Sequence, residues 1–83
     1  MASKLFYKAS VAGDLRRLDK AAARRVVEKL ERALGGDSYA GIPLTGEFRG
    51  LFKLRIGDYR VIYAKTSDGV LVLRIGHRKD VYR

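Results

Sequence analysis

The sequence has no cysteine and no tryptophan, one proline, one histidine and only nine acidic residues. Without thiols there is no disulfide and no thiolate metal site, so the fold does not depend on an oxidising compartment. A single imidazole argues against a zinc centre. The acids, among them Asp14, Glu28, Glu31 and Asp68, fall in expected helices or turns, which argues against paired-carboxylate catalysis. Neither GxxxxGK[ST] nor GxGxxG occurs, so the usual phosphate-cradling loops are excluded. His77 has Asp80 three residues on, but no serine is marked out by its context as a nucleophile. No apolar run approaches the ~20 residues that span a bilayer. The opening MASKLFYKAS lacks the apolar stretch of a secretory signal. These absences predict a cytoplasmic protein with no membrane span, no metal and no cofactor.

What is present is positive charge. Eighteen Lys and Arg stand against nine acids, a net charge of +9 on 83 residues. So dense a charge produces a potential of several kT and attracts nucleic acid, ribosome, an anionic membrane or an acidic protein. The competing reading is a generally basic surface with no dedicated partner. The chain is 47% apolar, with five Tyr and three Phe. That is enough for one small core, so residues 1–83 are expected to form a single domain.

Two kinds of period divide the chain. Residues 4–8, KLFYK, suggest a short strand with Leu5 and Tyr7 on one face and Phe6 on the other. Ser10 is a candidate cap for a short helix to Leu18, with Leu15 and Leu18 inward. Asp19 offers a second cap, and residues 20–34, KAAARRVVEKLERAL, carry the clearest helical pattern. Ala23, Val26, Val27, Leu30 and Leu34 share its apolar stripe, and the Gly35-Gly36 pair is expected to stop it. Residues 37–50 read as a loop.

From Leu51 the period becomes two. Residues 51–63 read LFKLRIGDYRVIY and residues 70–83 read VLVLRIGHRKDVYR. Gly57-Asp58 fits a two-residue hairpin turn. It would place Ile56 opposite Tyr59, Arg55 opposite Arg60, Leu54 opposite Val61 and Phe52 opposite Tyr63. The apolar members then face the long helix, while Lys53, Arg55 and Arg60 share the outer face. Like charges directly across a ladder destabilise it, so this face suits an anion. The alternative is that the arginines splay into water and cover Ile62 with their stems. A second hairpin near Ser67-Asp68-Gly69 with three turn residues and a bulge at Gly69 would put Leu71, Leu73 and Ile75 in the core and Arg74 outside. A two-residue turn would reverse that parity.

The chemistry these residues could do is metal-free RNA cleavage. It needs help for the 2′-OH, cations for the developing phosphate charge and an acid for the 5′-oxygen. Lys53, Arg55, Arg60, His77, Arg78 and Tyr82 are the right residue types. Two of them have ordinary alternatives: His77 as a surface residue and Tyr82 as an anchor packed on the sheet. Tyr82 could also stack on a splayed base.

The LFKLRIGDYRVIY segment, the preceding PLTGEFRG and the GHRKDVY ending resemble, in order and spacing, the RelE/ParE toxin superfamily, most closely its RelE-type branch. The resemblance covers nearly the whole chain. It implies an α+β domain of β-α-α-β-β-β order, a mainly antiparallel sheet packed on a helical hairpin. It implies a ribosome-dependent endoribonuclease that cuts mRNA in the ribosomal A site by 2′-OH attack. It also implies a RelB-type antitoxin that neutralises the toxin in a toxin–antitoxin hetero-oligomer. By position, Lys53 matches a family lysine, a candidate base or charge stabiliser. Arg60 matches the arginine that holds the scissile phosphate, and Arg78 a second phosphate-stabilising or acid-side arginine. Tyr82 matches the tyrosine that orients the substrate base. His77 and Arg55 take supporting places, and Arg74 joins the RNA-binding cations. The pattern departs at Leu51, where the family has a lysine, which leaves the general base open between Lys53 and His77. The alternatives implied are a ParE-like gyrase inhibitor or a catalytically inactive binding module of the same fold.

Overall fold

The computed structural model describes residues 4–36 and 41–77. The elements run β1 (Lys4–Tyr7), α1 (Ala9–Arg16), α2 (Lys20–Gly36), β2 (Ile42–Pro43), a 3-10 turn (Gly46–Phe48), β3 (Leu51–Ile56), β4 (Tyr59–Thr66) and β5 (Gly69–His77). The five strands form one sheet in the order β1-β5-β4-β3-β2. All neighbours are antiparallel except β1 and β5, which are parallel. The two helices cover one face.

The long helix forms where its period and cap agree. The Ala22 amide donates to Asp19 Oδ1 at 2.7 Å, the expected N-cap bond. Its buried stripe is Ala22, Val26, Leu30 and Leu34. Ala23 and Val27 stay half-buried on the flank, so the stripe is turned slightly from the expected one. The helix also takes in Gly35 and Gly36 rather than stopping before them. The first helix starts earlier than expected, with Lys8 at the N-cap position and no side-chain cap from Ser10. Its core residue is Val11, 1% exposed, while Leu15 packs at the margin. In β1, Leu5 and Tyr7 share the helix side as expected, Leu5 packed against the core and the Tyr7 hydroxyl donating to Glu31 of α2, while Phe6 is exposed.

The β3–β4 hairpin has the expected register throughout, with Arg55 opposite Arg60 and Phe52 opposite Tyr63. Gly57, first of the two turn residues, has φ +59° while Asp58 does not have positive φ, the pattern of a type II′ turn with glycine in its first central place. The β4–β5 hairpin corrects the expectation. Thr66 pairs with Gly69, so the turn is the two residues Ser67-Asp68. Thr66 Oγ1 accepts from the amides of Asp68 and Gly69, which closes the turn. Val70 and Val72 therefore point inward in place of Leu71 and Leu73. One extra residue, Leu73, is then accommodated between the pairs Tyr63–Val72 and Ile62–Arg74. Past that bulge Ile75 is in the core and Arg74 on the outer face, as expected.

The segment expected to be an unstructured loop contributes the fifth strand. Ile42 pairs with Lys53 and Pro43 with Phe52. Pro is tolerated here because β2 is an edge strand. The entry to β2 is fixed by the buried Tyr63, whose hydroxyl accepts from the Gly41 amide at 2.9 Å. A Cβ at Gly41 would lie 2.5 Å from that hydroxyl, so only glycine fits. The core between helices and sheet is built from Val26, Leu30, Leu34, Val61, Tyr63 and Ile75, with Phe52 stacked on Tyr63 at 5.3 Å.

Candidate nucleic-acid interface

The sheet face away from the helices is laid out in rows across β3, β4 and β5. The row nearest the β3–β4 turn is Arg55, Arg60 and Gly76. The next is Lys53, Ile62 and Arg74, and the one beyond it Leu51, Ala64 and Leu71. Directly opposed residues have Cβ atoms about 5 Å apart. The register thus sets the side chains of Arg55 and Arg60 directly opposite each other, with Lys53 two residues along β3 on the same face. Gly76 adds no side chain on the β5 side of the Arg60 row. A cleft of about 160 Å³ runs between Ile42, Lys53, Arg55 and Arg60. Paired guanidinium groups and an ammonium across an open cleft can bind a phosphate through several charge-assisted bonds.

The structure brings together four of the residues named from sequence: Lys53, Arg55, Arg60 and Arg74. It does not bring His77 to them. His77 pairs with Tyr59 on the helix-side face and meets that ring edge-on at 6.1 Å. Arg78 and Tyr82 lie outside the described residues. Among the described residues no group of three or more His, Cys, Asp or Glu side chains could hold a metal ion.

The outer face also holds something the sequence reading missed. Ile62 is only 6% exposed although it points away from the main core. It forms the floor of a groove of about 650 Å³ with Leu44, Leu51 and Leu73, beside the exposed ring of Phe48. Lys8, Arg17 and Arg74 supply cations to its lining, and Ser10 and Asp14 line the α1 side. Asp14 Oδ2 accepts from the Ile75 amide at 3.0 Å. The carboxylate therefore satisfies a donor on the β5 edge just past the bulge, where β1 no longer pairs. The signal that was available is the outward parity of Leu51 and Ile62 in an otherwise cationic pattern.

A profile described as the ParE toxin of type II toxin–antitoxin systems matches residues 5–82. The chain belongs to the RelE/ParE toxin superfamily. Toxin RelE of Mycobacterium tuberculosis is 38% identical over 79 residues, covering 90% of this chain and 80% of the relative. Toxin RelG of the same organism is 42% identical over 45 residues, a stretch spanning about half of each chain (52%). Among solved structures, the M. tuberculosis RelBE2 toxin–antitoxin complex contains a chain similar to this RelE/ParE member at a TM-score of 0.85 and 29% identity, covering 96% of this chain and 95% of that one. The RelE–RelB complex of Pyrococcus horikoshii gives 0.71 and 27%, covering 98% and 100%. The five-stranded sheet and two helices are the fold of these RelE-like neighbours.

Proposed function

We propose that this RelE/ParE member is a ribosome-dependent endoribonuclease that cuts mRNA in the ribosomal A site. The observation that carries the reading is the Arg55–Arg60 pair with Lys53 beside it on an open sheet face. Like charges opposed across a ladder weaken it, and an RNA phosphate removes that repulsion on binding. Arg60 holds the scissile phosphate and stabilises its developing charge; Arg55 and Arg74 hold the flanking backbone. As the 2′-OH attacks the adjacent phosphorus with Lys53 beside it, the 2′-proton leaves to Lys53 or to solvent, the P–O5′ bond breaks and the 5′-oxygen takes up a proton from solvent or from the Arg78 side, giving a 2′,3′-cyclic phosphate and a free 5′-hydroxyl. His77 faces the helix side beside Tyr59, which supports Lys53 over His77 as the base. Arg78 and Tyr82 keep the roles their sequence positions imply, the former on the phosphate and the latter on the base. The protein works in the cytoplasm as one domain, without metal or cofactor. A RelB-type antitoxin covers the cationic face in a toxin–antitoxin complex.

The test is 5′-end mapping of an mRNA in a translating extract. Cuts within A-site codons that require ribosomes, and fall by roughly 100-fold or more in Arg60→Ala, support the proposal. Intact message at saturating protein overturns it and turns attention to a gyrase-directed or purely binding role for the fold.

A further inference from the structure

Resting on the RNA-cleaving reading above, we infer that Asp14 is a positioning residue for the cleavage step. It acts through the β5 backbone, by fixing the strand end that borders Arg60 and leads on to Arg78.

The two edges of β5 are supported differently. Along β4 it is paired from Thr66–Gly69 to Tyr59–His77, with the bulge at Leu73 between. Along its other edge β1 pairs only from Gly69 to Val72. The chain then leaves the sheet: the Lys8 amide donates to the Val72 carbonyl at 2.9 Å, and α1 begins at Ala9. Among the described residues no strand pairs with that edge of β5 beyond Val72. The Ile75 amide falls in this unpaired stretch, next to a side chain only 2% exposed. A backbone donor left without an acceptor in such a place is costly. Asp14 Oδ2 supplies the acceptor at 3.0 Å, across 61 positions of sequence.

The helix holds that carboxylate firmly. Val11 is buried and Leu15 packs against the core, so Asp14, three residues after Val11 and next to Leu15, lies at the margin of the inward face. Its carbonyl accepts from the Arg17 amide at 3.2 Å, which ties its backbone as well. An aspartate side chain is short, so one bond to it sets the spacing between α1 and β5. Charge is not the gain. Asp14 lines the same groove as Lys8 and Arg17, and a carboxylate there opposes a polyanion.

The anchored stretch is the part of β5 that meets the cationic rows. Gly76 lies opposite Arg60, and Arg74 opposite Ile62. Arg78 follows His77 directly in the sequence. A bulge sits at the base of this stretch, and bulged strands bend. Held by β4 alone, the stretch pivots at Leu73; Asp14 is a second attachment that removes the pivot. The phosphate grip of Arg55, Arg60 and Lys53 belongs to the β3–β4 hairpin and does not need this bond. Asp14 therefore bears on the rate of bond breaking, which is sensitive to misplacement of about 1 Å, and little on RNA affinity.

The experiment maps mRNA 5′-ends over time in a translating extract, at rising concentrations of the full chain. It compares Asp14→Ala, Asp14→Asn and Asp14→Glu with the wild type, each at a temperature where its amide spectrum shows it folded. Asn keeps a neutral acceptor at the same reach. Glu keeps the charge but carries its acceptor one methylene further. Asp14→Ala should cut about tenfold or more slowly at saturation, with an unchanged half-saturating concentration. Asp14→Asn should return the rate to within about threefold of the wild type, and Asp14→Glu should not. Lost stability alone would not slow the folded protein or split rate from half-saturation. If Asp14→Ala does not fold, the Asn and Glu variants decide. A wild-type rate in folded Asp14→Ala or in Asp14→Glu overturns the positioning role, and so does an Asp14→Asn as slow as Asp14→Ala. A shift confined to half-saturation makes Asp14 a binding residue and overturns it too. All these outcomes leave the RNA reading standing. A wild-type protein that leaves the message intact overturns that reading and this inference with it.

Discussion

The two faces of this sheet use the same strands for opposite ends. Towards the helices, Val61, Tyr63, Val72 and Ile75 are all at most 2% exposed and meet Leu30 and Leu34. On the other side, the residues one step along from them are Arg60, Ile62, Arg74 and Gly76, which make a cationic row system and a groove. Strand alternation makes this possible, because successive side chains leave opposite sides of the backbone. The inner face is optimised for packing. The outer face tolerates opposed positive charge, which packing alone would select against. Stability and ligand binding should therefore be separable by parity along a single strand.

The strongest way to break that separation is to damage the inner face. Leu30→Ala removes a fully buried side chain and should lower unfolding free energy by about 3 kcal/mol, within the 2–5 kcal/mol typical of such truncations. In a chain of this size that is a large share of the total. Urea denaturation measures it, and a loss below about 1 kcal/mol would mean that the core is looser than it looks. Next is the outer face. Arg60→Ala should keep its urea midpoint within the equivalent of about 0.5 kcal/mol while losing mRNA cleavage as set out above. A variant that unfolds instead would show the two faces to be coupled. Asp14 tests a link between them, since it accepts from a β5 amide at the groove wall. Asp14→Ala should cost about 2 kcal/mol, the size expected for a hydrogen bond to a charged group whose donor is left unpaired. Hydrogen exchange at Ile75 should accelerate with it. The smallest effect concerns Tyr7. Partial burial, and after it the charge and hydrogen bond of Glu31, raise its hydroxyl pKa above 10.0. A raised pKa favours the protonated form in the folded state, so the contribution is intact below pH ~10 and disappears as pH rises through the raised value. Tyr7→Phe should flatten the alkaline limb of the stability curve near that pH.

How much of this was legible depends on how many independent choices each element required. The β3–β4 hairpin was read residue for residue, because Gly57-Asp58 fixes one turn and the alternation on both sides agrees with it. The β4–β5 hairpin was not. Its faces depend on turn length and on a bulge together, and both differed from the expectation. Val70 and Val72 took the inward places expected of Leu71 and Leu73, yet the extra Leu73 returned Arg74 and Ile75 to their expected sides. Aliphatic residues occupy both parities from Val70 to Leu73, so composition could not decide between the registers. The β2 strand escaped notice because two residues, one of them Pro43, carry no period. Long helix α2 was plain from its repeat, but it is turned so that Ala22 rather than the chemically identical Ala23 is buried, and it runs through Gly35-Gly36 instead of stopping there.

The cationic half of the site was visible because Lys53, Arg55 and Arg60 come from one hairpin. The groove was not. Its walls are drawn from Lys8, Arg17, Leu44, Phe48, Ile62 and Leu73, which only the folded sheet brings together. His77 shows the reverse case: its residue type invited a supporting catalytic role, while its strand parity sets it beside Tyr59 and apart from the cationic rows.

The parallel pairing of β1 with β5 sets an order of assembly. Lys4 lies opposite Gly69, so the first strand has nothing to join until the last is available. Gly69 meets the Lys4 backbone so closely that a Cβ there would collide with the Lys4 carbonyl oxygen, leaving no room for any other residue. The β3–β4–β5 meander closes short loops and can form early; the β1 seam closes a long one, which is entropically slower. We expect pulse-labelled amides in β4 to be protected before those in β1, and simultaneous protection would argue against this order. During synthesis the cationic face would then take shape on a three-stranded meander still lacking its N-terminal edge, and the seam at Gly69 would be the last part of the sheet to lock.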